Sequence, residues 1–85
     1  MKVRTLPKFE RQYKKLTNDL KDIAEKKFNI FLNDPYDSRL KTHKLTGALM
    51  GFMAFSINQE YRIIFDLDEK KDARFYQIGT HDIYD

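Results

Sequence analysis

The sequence has no cysteine, only three glycines and two prolines, and no long apolar run. Without cysteine, neither a disulfide framework nor a thiolate-ligated metal site is available. The longest nearly apolar segment, Ala48–Ile57, spans about ten residues, whereas a membrane helix needs about 20. Nothing after Met1 resembles a signal peptide. We therefore expect a protein that is indifferent to redox compartment, does not contact membranes and works in the cytoplasm.

Chemical motifs are missing as well. The sequence lacks a Gly-rich phosphate loop, a His-x-x-x-His pair and a cluster of carboxylates at metal-ligand spacing. Any catalysis is therefore expected to proceed without a metal ion or another cofactor.

The length and the charge set the next limits. Eighty-five residues suffice for one domain, 1–85, and the seven Phe and five Tyr help a small core to hold together. Up to Lys44 there are 12 cationic and 6 acidic residues, against 4 and 7 afterwards. A basic half is typical of a protein that binds phosphate groups, RNA included. A lysine-rich helix surface kept for solubility gives the same pattern.

Apolar periodicity predicts a strand and a helical hairpin in the first half. Lys2–Leu6 alternates polar and apolar residues, as a half-buried strand does. Apolar residues then recur at helical spacing, and Thr17 begins a segment with N-cap chemistry. The pattern predicts helices over Pro7–Lys15 and Asn18–Leu32, followed by a loop of about ten residues that ends at Gly47.

The second half predicts three strands, Met50–Ile57, Tyr61–Leu67 and Ala73–Ile78, which are rich in aromatic and branched residues. Their short connections favour an antiparallel meander, which the first strand then joins. The predicted fold is α+β, with one four-stranded sheet and the helices packed on one face. Alternation along the middle strand places Arg62 on the uncovered face, together with Ile64 and Asp66.

Two histidines are candidates for proton transfer, because the imidazole pKa lies near neutrality. His81 follows a flexible glycine at the end of the last strand, and His43 lies in the loop between Lys41 and Lys44. The alternatives are an exposed tail histidine without a role and a loop histidine that packs against an apolar neighbour. If the histidines act on a phosphodiester, Lys41 or Lys44 would neutralise phosphate charge.

Arg62 and Tyr84 are the other candidates. The planar guanidinium of Arg62 can bind two phosphate oxygens at once, although a solvated strand cation is the alternative. Tyr84 could stack on a base or orient a phosphate, or it could cover the end of the sheet. The residues alone do not choose between these roles.

Three segments together resemble the RelE/ParE superfamily of bacterial toxins. They are His43–Gly47 (His-Lys-Leu-Thr-Gly), Tyr61–Phe65 (Tyr-Arg-Ile-Ile-Phe) and Gly79–His81 (Gly-Thr-His). With the predicted order of elements, the resemblance covers nearly the whole chain and is nearest to the YafQ-like branch of RelE toxins. It implies an mRNA interferase that cleaves ribosome-bound message, inhibits translation and is neutralised by a cognate antitoxin, with operator DNA bound only through the antitoxin complex.

The resemblance also implies roles for residues. His81 matches the C-terminal catalytic histidine, Arg62 an active-site arginine and His43 the loop histidine of the YafQ branch, while Tyr84 approximates the terminal aromatic residue. Where relatives place charged residues toward the RNA, this chain has Met53–Ser56, which leaves His43 or the weaker Ser56 to fill the gap.

This uncharged strand supports the competing hypotheses. One is a ParE-like toxin that acts on DNA gyrase rather than on RNA, and another is a catalytically weak relative that binds an antitoxin. A plain basic RNA-binding module is the third.

Overall fold

The predicted strand and helical hairpin are present in the computed structural model, which describes residues 1–84. Strand β1 covers Val3–Thr5, helix α1 Pro7–Lys14 and helix α2 Asn18–Asn33. Pro7 stands in the first turn of α1, where its missing N–H costs nothing. The Thr17 hydroxyl accepts a hydrogen bond from the Leu20 amide at 3.2 Å, so the predicted N-cap is confirmed.

Four further strands follow, β2 (His43–Lys44), β3 (Met53–Ser56), β4 (Arg62–Leu67) and β5 (Ala73–Gly79). Short 3₁₀ turns lie at Ser38–Leu40, Gly47–Leu49 and His81–Tyr84. Within residues 1–84 the sheet has the order β1-β5-β4-β3-β2. β1 runs parallel to β5, and the other neighbours are antiparallel. Among these residues no helix is long and apolar enough to cross a bilayer.

The α+β class with helices on one face is confirmed, but the predicted count of four strands is wrong. The predicted loop contains β2, in which His43 pairs with Ala54 and Lys44 with Met53. Two exposed polar residues are too short a segment for an alternating pattern, so the sequence carries no strand signal there. Pairing with the edge of β3 creates this strand.

The face opposite the helices is only partly open. Ile64, which alternation places on that face, is 1% exposed, and its partner Ala54 is fully buried. The chain itself therefore closes the middle of this face, which leaves its ends for function.

The core is centred on Phe31 of α2, which is fully buried. Its ring centroid lies 4.7 Å from that of Phe55, 5.0 Å from that of Phe65 and 5.3 Å from that of Phe75. Offset and edge-on contacts of this kind add to the free energy gained from burial. One aromatic residue thus joins the hairpin to three strands of the sheet.

Replacing Phe31 by Ala is expected to lower the free energy of unfolding by about 3–5 kcal/mol, because the cavity removes contacts to three rings. Urea denaturation followed by circular dichroism measures this change. The control is Leu32→Ala on the same helix, where the side chain is 47% exposed and the change should stay within about 0.5 kcal/mol. Equal effects of the two substitutions would contradict this description of the core.

One edge of the sheet is closed by a side chain. β1 pairs with β5 only over Ala73–Phe75, so on this edge the later residues of β5 have no neighbouring strand. The Ile78 amide instead donates to Gln12 Oε1 of α1 at 2.9 Å. A side chain that accepts from an edge strand discourages pairing with other chains. It also holds β5 in place directly before the segment that carries His81.

Candidate functional site

Arg62 is the centre of the candidate site. It begins β4 and pairs with Ser56 of β3 on one side and with Gly79 of β5 on the other. Side chains of directly paired residues project from the same face of a sheet, so this row lies at one end of the face opposite the helices.

The Arg62 guanidinium is fixed by the turn between β3 and β4. Its Nη1 donates to the carbonyl oxygens of Asn58 and Gln59, both at 3.2 Å. Within residues 1–84 the well-formed hydrogen bonds of this guanidinium use Nη1, which leaves the Nε and Nη2 hydrogens for Tyr84 beside it and for a ligand. Two parallel N–H groups on a rigid plane match two oxygens of a phosphate.

The segment after β5 returns to the sheet. It places Tyr84 beside Arg62 and the His81 ring against Tyr84. Ile83 Cγ2 lies 2.6 Å from the position that a Cβ on Gly79 would occupy, so any larger residue would push this turn away. The buried Ile83 thereby anchors the 3₁₀ turn against the strand. The ring centroids of His81 and Tyr84 are 5.6 Å apart, in an edge-on arrangement.

The Tyr84 hydroxyl is the unsatisfied polar group of the site. It is buried and makes no hydrogen bond of good geometry among residues 1–84, although the Arg62 guanidinium lies close enough to donate weakly to it. Burial raises the pKa of the Tyr84 phenol above its usual value of 10.0, while the positive charge of Arg62 and a hydrogen bond from its side chain oppose this rise. The phenol is therefore neutral at physiological pH and remains a hydrogen-bond donor. Because buried polar groups in native proteins are nearly always paired, this hydroxyl and the Arg62 guanidinium beside it are groups with unused hydrogen-bonding capacity.

Replacing Tyr84 by Phe is expected to raise the free energy of unfolding by about 1 kcal/mol, because it removes a buried hydroxyl without a well-formed hydrogen bond. The same substitution should weaken RNA binding by about tenfold if the hydroxyl donates to a phosphate oxygen. Urea denaturation and fluorescence anisotropy with a labelled RNA measure the two effects.

The control is Tyr76→Phe, since the Tyr76 hydroxyl donates to Asp66 Oδ2 at 2.9 Å. That substitution should lower the free energy of unfolding and leave RNA binding nearly unchanged. A loss of stability in Tyr84→Phe would contradict the assignment of an unsatisfied hydroxyl.

On the other side of Arg62 lies a cationic cleft of about 280 Å³. Its lining holds four cationic residues and no carboxylate, and consists of Lys27, Arg39, Lys41, Ser56, Ile57, Asn58, Gln59 and Arg62. Helix α2, the segment after it and the turn between β3 and β4 form its walls. Ser56 and Lys41, which the sequence suggested as substrate-binding residues, thus share one cleft with Arg62.

Lys27 and Arg39 also belong to this cleft, although the sequence motifs did not single them out. Lys27 Nζ donates to the Arg39 carbonyl at 3.3 Å, which ties the helix to the wall of the cleft. The Arg39 guanidinium contacts both Asp37 oxygens at 2.9 Å, and this hydrogen bonding lowers the pKa of Asp37 to about 2. The ion pair therefore keeps its charges at any pH above about 4. In the sequence, only the excess of cationic over acidic residues up to Lys44 indicated this cluster.

His43 lies beyond the cleft, on the edge strand β2. Its partner Ala54 is two residues before Ser56, so His43 projects from the same face as Arg62, about 10 Å across two strands and about 7 Å along them. His43 Nδ1 is 3.1 Å from the Lys41 carbonyl oxygen. A carbonyl can only accept, so Nδ1 carries the hydrogen and Nε2 of the neutral ring has a free lone pair. This is the tautomer that a general base at Nε2 requires.

Lys41 holds its position with an unusual backbone. Its φ is +53°, in the left-handed region that residues other than glycine, Asn and Asp seldom adopt. This turn ends the 3₁₀ segment Ser38–Leu40 and aims the Lys41 carbonyl at His43. Backbone strain of this kind is common at functional sites.

Lys44 is not brought to the site. It pairs with Met53, whose side chain packs against the main core, so the two lie toward the helical side of the sheet. Lys44 lines a separate depression with Gly51–Met53.

The uncharged strand Met53–Ser56 has a structural explanation. Ala54 and Phe55 are fully buried, and Ser56 is 8% exposed, so this segment serves packing. A charged network lies on the same face further along β4, where Asp66 pairs with Arg74 at 2.8 Å and accepts from Tyr76. Asp66 is four residues, or about 13 Å, from Arg62. In residues 1–84 no group of three or more His, Asp or Glu side chains is arranged to hold a metal ion.

Comparison with known proteins finds similarity in structure. No family model matches the sequence, and no curated protein matches it. A YoeB/ParE toxin from Agrobacterium tumefaciens superposes with a TM-score of 0.80 at 15% identity, covering 95% of this chain and 99% of the other. YafQ in the E. coli DinJ–YafQ toxin–antitoxin complex gives 0.76 at 18% identity, covering 95% and 92%. The archaeal RelE–RelB complex from Pyrococcus horikoshii gives 0.75 at 15% identity, covering 93% and 92%.

These similarities extend over nearly the full length of both chains in each pair. The chain therefore has the fold of the RelE/ParE toxins, as the three sequence segments predicted.

Proposed function

We propose that this chain, which has the RelE/ParE fold, is the toxin of a type II toxin–antitoxin system. We further propose that it is an endoribonuclease that cleaves ribosome-bound mRNA in the cytoplasm and inhibits translation. The observation that carries the proposal is that Tyr84 lies against both the Arg62 guanidinium and the His81 ring at one end of the sheet. The cationic cleft beside them supports a polyanionic substrate.

The proposed reaction is an attack of the ribose 2′-hydroxyl on the adjacent 3′-phosphate. The 2′-oxygen forms a bond to phosphorus while the bond from phosphorus to the 5′-oxygen breaks, which gives a 2′,3′-cyclic phosphate and a 5′-hydroxyl. Arg62 and Tyr84 would donate to the phosphate oxygens, where negative charge grows in the transition state.

The two histidines would move the protons. His43 would accept the proton of the 2′-hydroxyl at Nε2, and His81 would donate a proton to the leaving 5′-oxygen. His43 and His81 lie on opposite sides of Arg62, as in-line attack and departure require. A gap of about two strands separates the backbones of His43 and Arg62, so both side chains would have to extend toward the phosphate for His43 to contact the 2′-hydroxyl. No cofactor takes part in this scheme.

The proposed protein partner is a cognate antitoxin. The E. coli relative is a toxin–antitoxin complex of DinJ and YafQ, and the archaeal one is a complex of RelE and RelB. By this analogy, operator DNA would be bound only through the antitoxin complex. A neighbouring gene that encodes a DNA-binding N-terminus and an amphipathic C-terminus, and whose product reverses growth arrest, would support the proposal.

Mapping the 5′ ends of cellular mRNA after induction tests the nuclease. We expect new ends within coding regions, spaced with the three-nucleotide periodicity of translation, before growth stops. Intact mRNA together with DNA damage would instead favour a gyrase-directed toxin, and intact mRNA and DNA would favour a relative that only binds antitoxin. The uncharged strand Met53–Ser56 is the feature that keeps these alternatives open.

A further inference from the structure

We propose that the cationic cleft binds the phosphate immediately 5′ of the scissile phosphodiester. This subsite rests on the proposed function, and two of its residues, Lys27 and Arg39, lie outside the motifs that suggested RNA cleavage. The cleft is distinct from the place beside Tyr84 where the scissile phosphate would lie.

The positive charge of the residues that line the cleft favours binding of an anion. Lys27 of α2 and Arg39 and Lys41 of the segment after it line one space with Arg62 of β4, and no carboxylate joins them in that lining. Asp37 compensates Arg39 from outside the lining, which leaves a net excess of positive charge. The volume of about 280 Å³ is large enough to hold a phosphate group.

The position of the cleft selects the 5′ side. His81 follows β5, Arg62 begins β4, Ser56 ends β3, and Lys41 precedes β2, so the site runs in one direction across the sheet. If His81 protonates the leaving 5′-oxygen, the 3′ part of the RNA lies on its side of Arg62. The nucleotide whose 2′-hydroxyl attacks then lies toward His43, and its own 5′-phosphate enters the cleft.

The left-handed turn at Lys41 connects the cleft to the proposed general base His43. Lys41 is part of the cleft lining, and its carbonyl accepts the hydrogen of His43 Nδ1. A phosphate in the cleft would therefore place the attacking nucleotide beside the proposed base.

A pair of short RNA analogues tests the subsite on the full chain. The probes are 2′-O-methyl uridine dinucleotides with and without a 5′-terminal phosphate, which lack the attacking hydroxyl and so cannot be cleaved. NMR titration of the labelled protein gives both affinities. We expect the phosphorylated dinucleotide to bind about tenfold tighter, the effect of one further charge-assisted contact.

Substitutions locate the effect. Lys27→Gln and Lys41→Gln should each reduce the preference for the 5′-phosphate, and the double variant should remove it. Lys26→Gln is the matched control, because it makes the same charge change on an exposed position of the same helix outside the cleft lining. Thermal unfolding verifies that each variant is folded, and Lys41→Gln provides a second test should Lys27→Gln loosen its contact with Arg39.

Equal affinity for the two dinucleotides, no detectable binding of either, or a preference that survives the double substitution would overturn the subsite. Failure of the proposed nuclease function would look different. The protein would then leave cellular mRNA uncut but still prefer the dinucleotide with the 5′-phosphate.

Discussion

Replacing His81 by Ala is expected to lower the rate of mRNA cleavage by roughly 10²–10⁴-fold, the usual contribution of a general acid. Induction of the variant should then no longer arrest growth. His81 is exposed, so the free energy of unfolding should change by less than about 0.5 kcal/mol. Growth curves after induction and primer extension on a reporter mRNA measure the loss.

The matched control is Asp82→Ala, which truncates the neighbouring exposed residue of the same 3₁₀ turn. It should keep cleavage within a few-fold of the unmodified protein. Binding of the antitoxin to His81→Ala should also persist, because the fold is intact. A His81→Ala variant that arrests growth as strongly as the unmodified protein would remove this residue from the mechanism.

Replacing Arg62 by Gln should lower the cleavage rate by roughly 10²–10³-fold, as is typical when one preorganised donor to a developing negative charge is lost. Arg62→Lys should recover only part of this loss. An ammonium keeps the charge but cannot present two parallel N–H groups to two phosphate oxygens. Single-turnover cleavage of a reporter mRNA by purified variants measures both effects.

Arg62 also holds the carbonyls of the β3–β4 turn, so the stability of each variant has to be measured beside its activity. Arg11→Gln provides the matched control, since it removes an exposed arginine of helix α1 away from the site. Full activity of Arg62→Lys would show that charge alone suffices, and the bidentate role would then be wrong.

Local signals in the sequence sufficed for the elements that carry long periodic patterns. The helical stripe and the cap at Thr17 predicted α2 to within one residue, and three runs of branched and aromatic residues predicted β3, β4 and β5. The two-residue strand β2 had no such pattern, and only its pairing with β3 defines it.

Local signals also predicted part of the candidate site. Arg62 follows from strand alternation, and the position of His81 follows from Gly79, which lets the next turn pack against the strand. Lys27 and Arg39 could not be singled out, because they stand 12 residues apart and share a cleft only after α2 packs beside the β3–β4 turn. The buried state of the Tyr84 hydroxyl likewise depends on tertiary packing.

The burial of Ala54 and Ile64 changes how the uncharged strand is understood. A charged residue at either position would be buried, and burial of an unpaired charge is costly. The proposed chemistry therefore lies around Arg62, from His43 on the edge strand to the 3₁₀ turn that contains His81 and Tyr84.

The chemical nature of the cut ends tests the central claim most directly. Purified protein is incubated with mRNA on translating ribosomes, and the downstream fragments are ligated to an adaptor that requires a 5′-phosphate, with or without prior kinase treatment. Attack by the 2′-hydroxyl leaves a 5′-hydroxyl, so we expect ligation only after kinase treatment, and no fragments with His81→Ala. Fragments that ligate without the kinase, or uncut mRNA with the unmodified protein, would contradict the proposed mechanism.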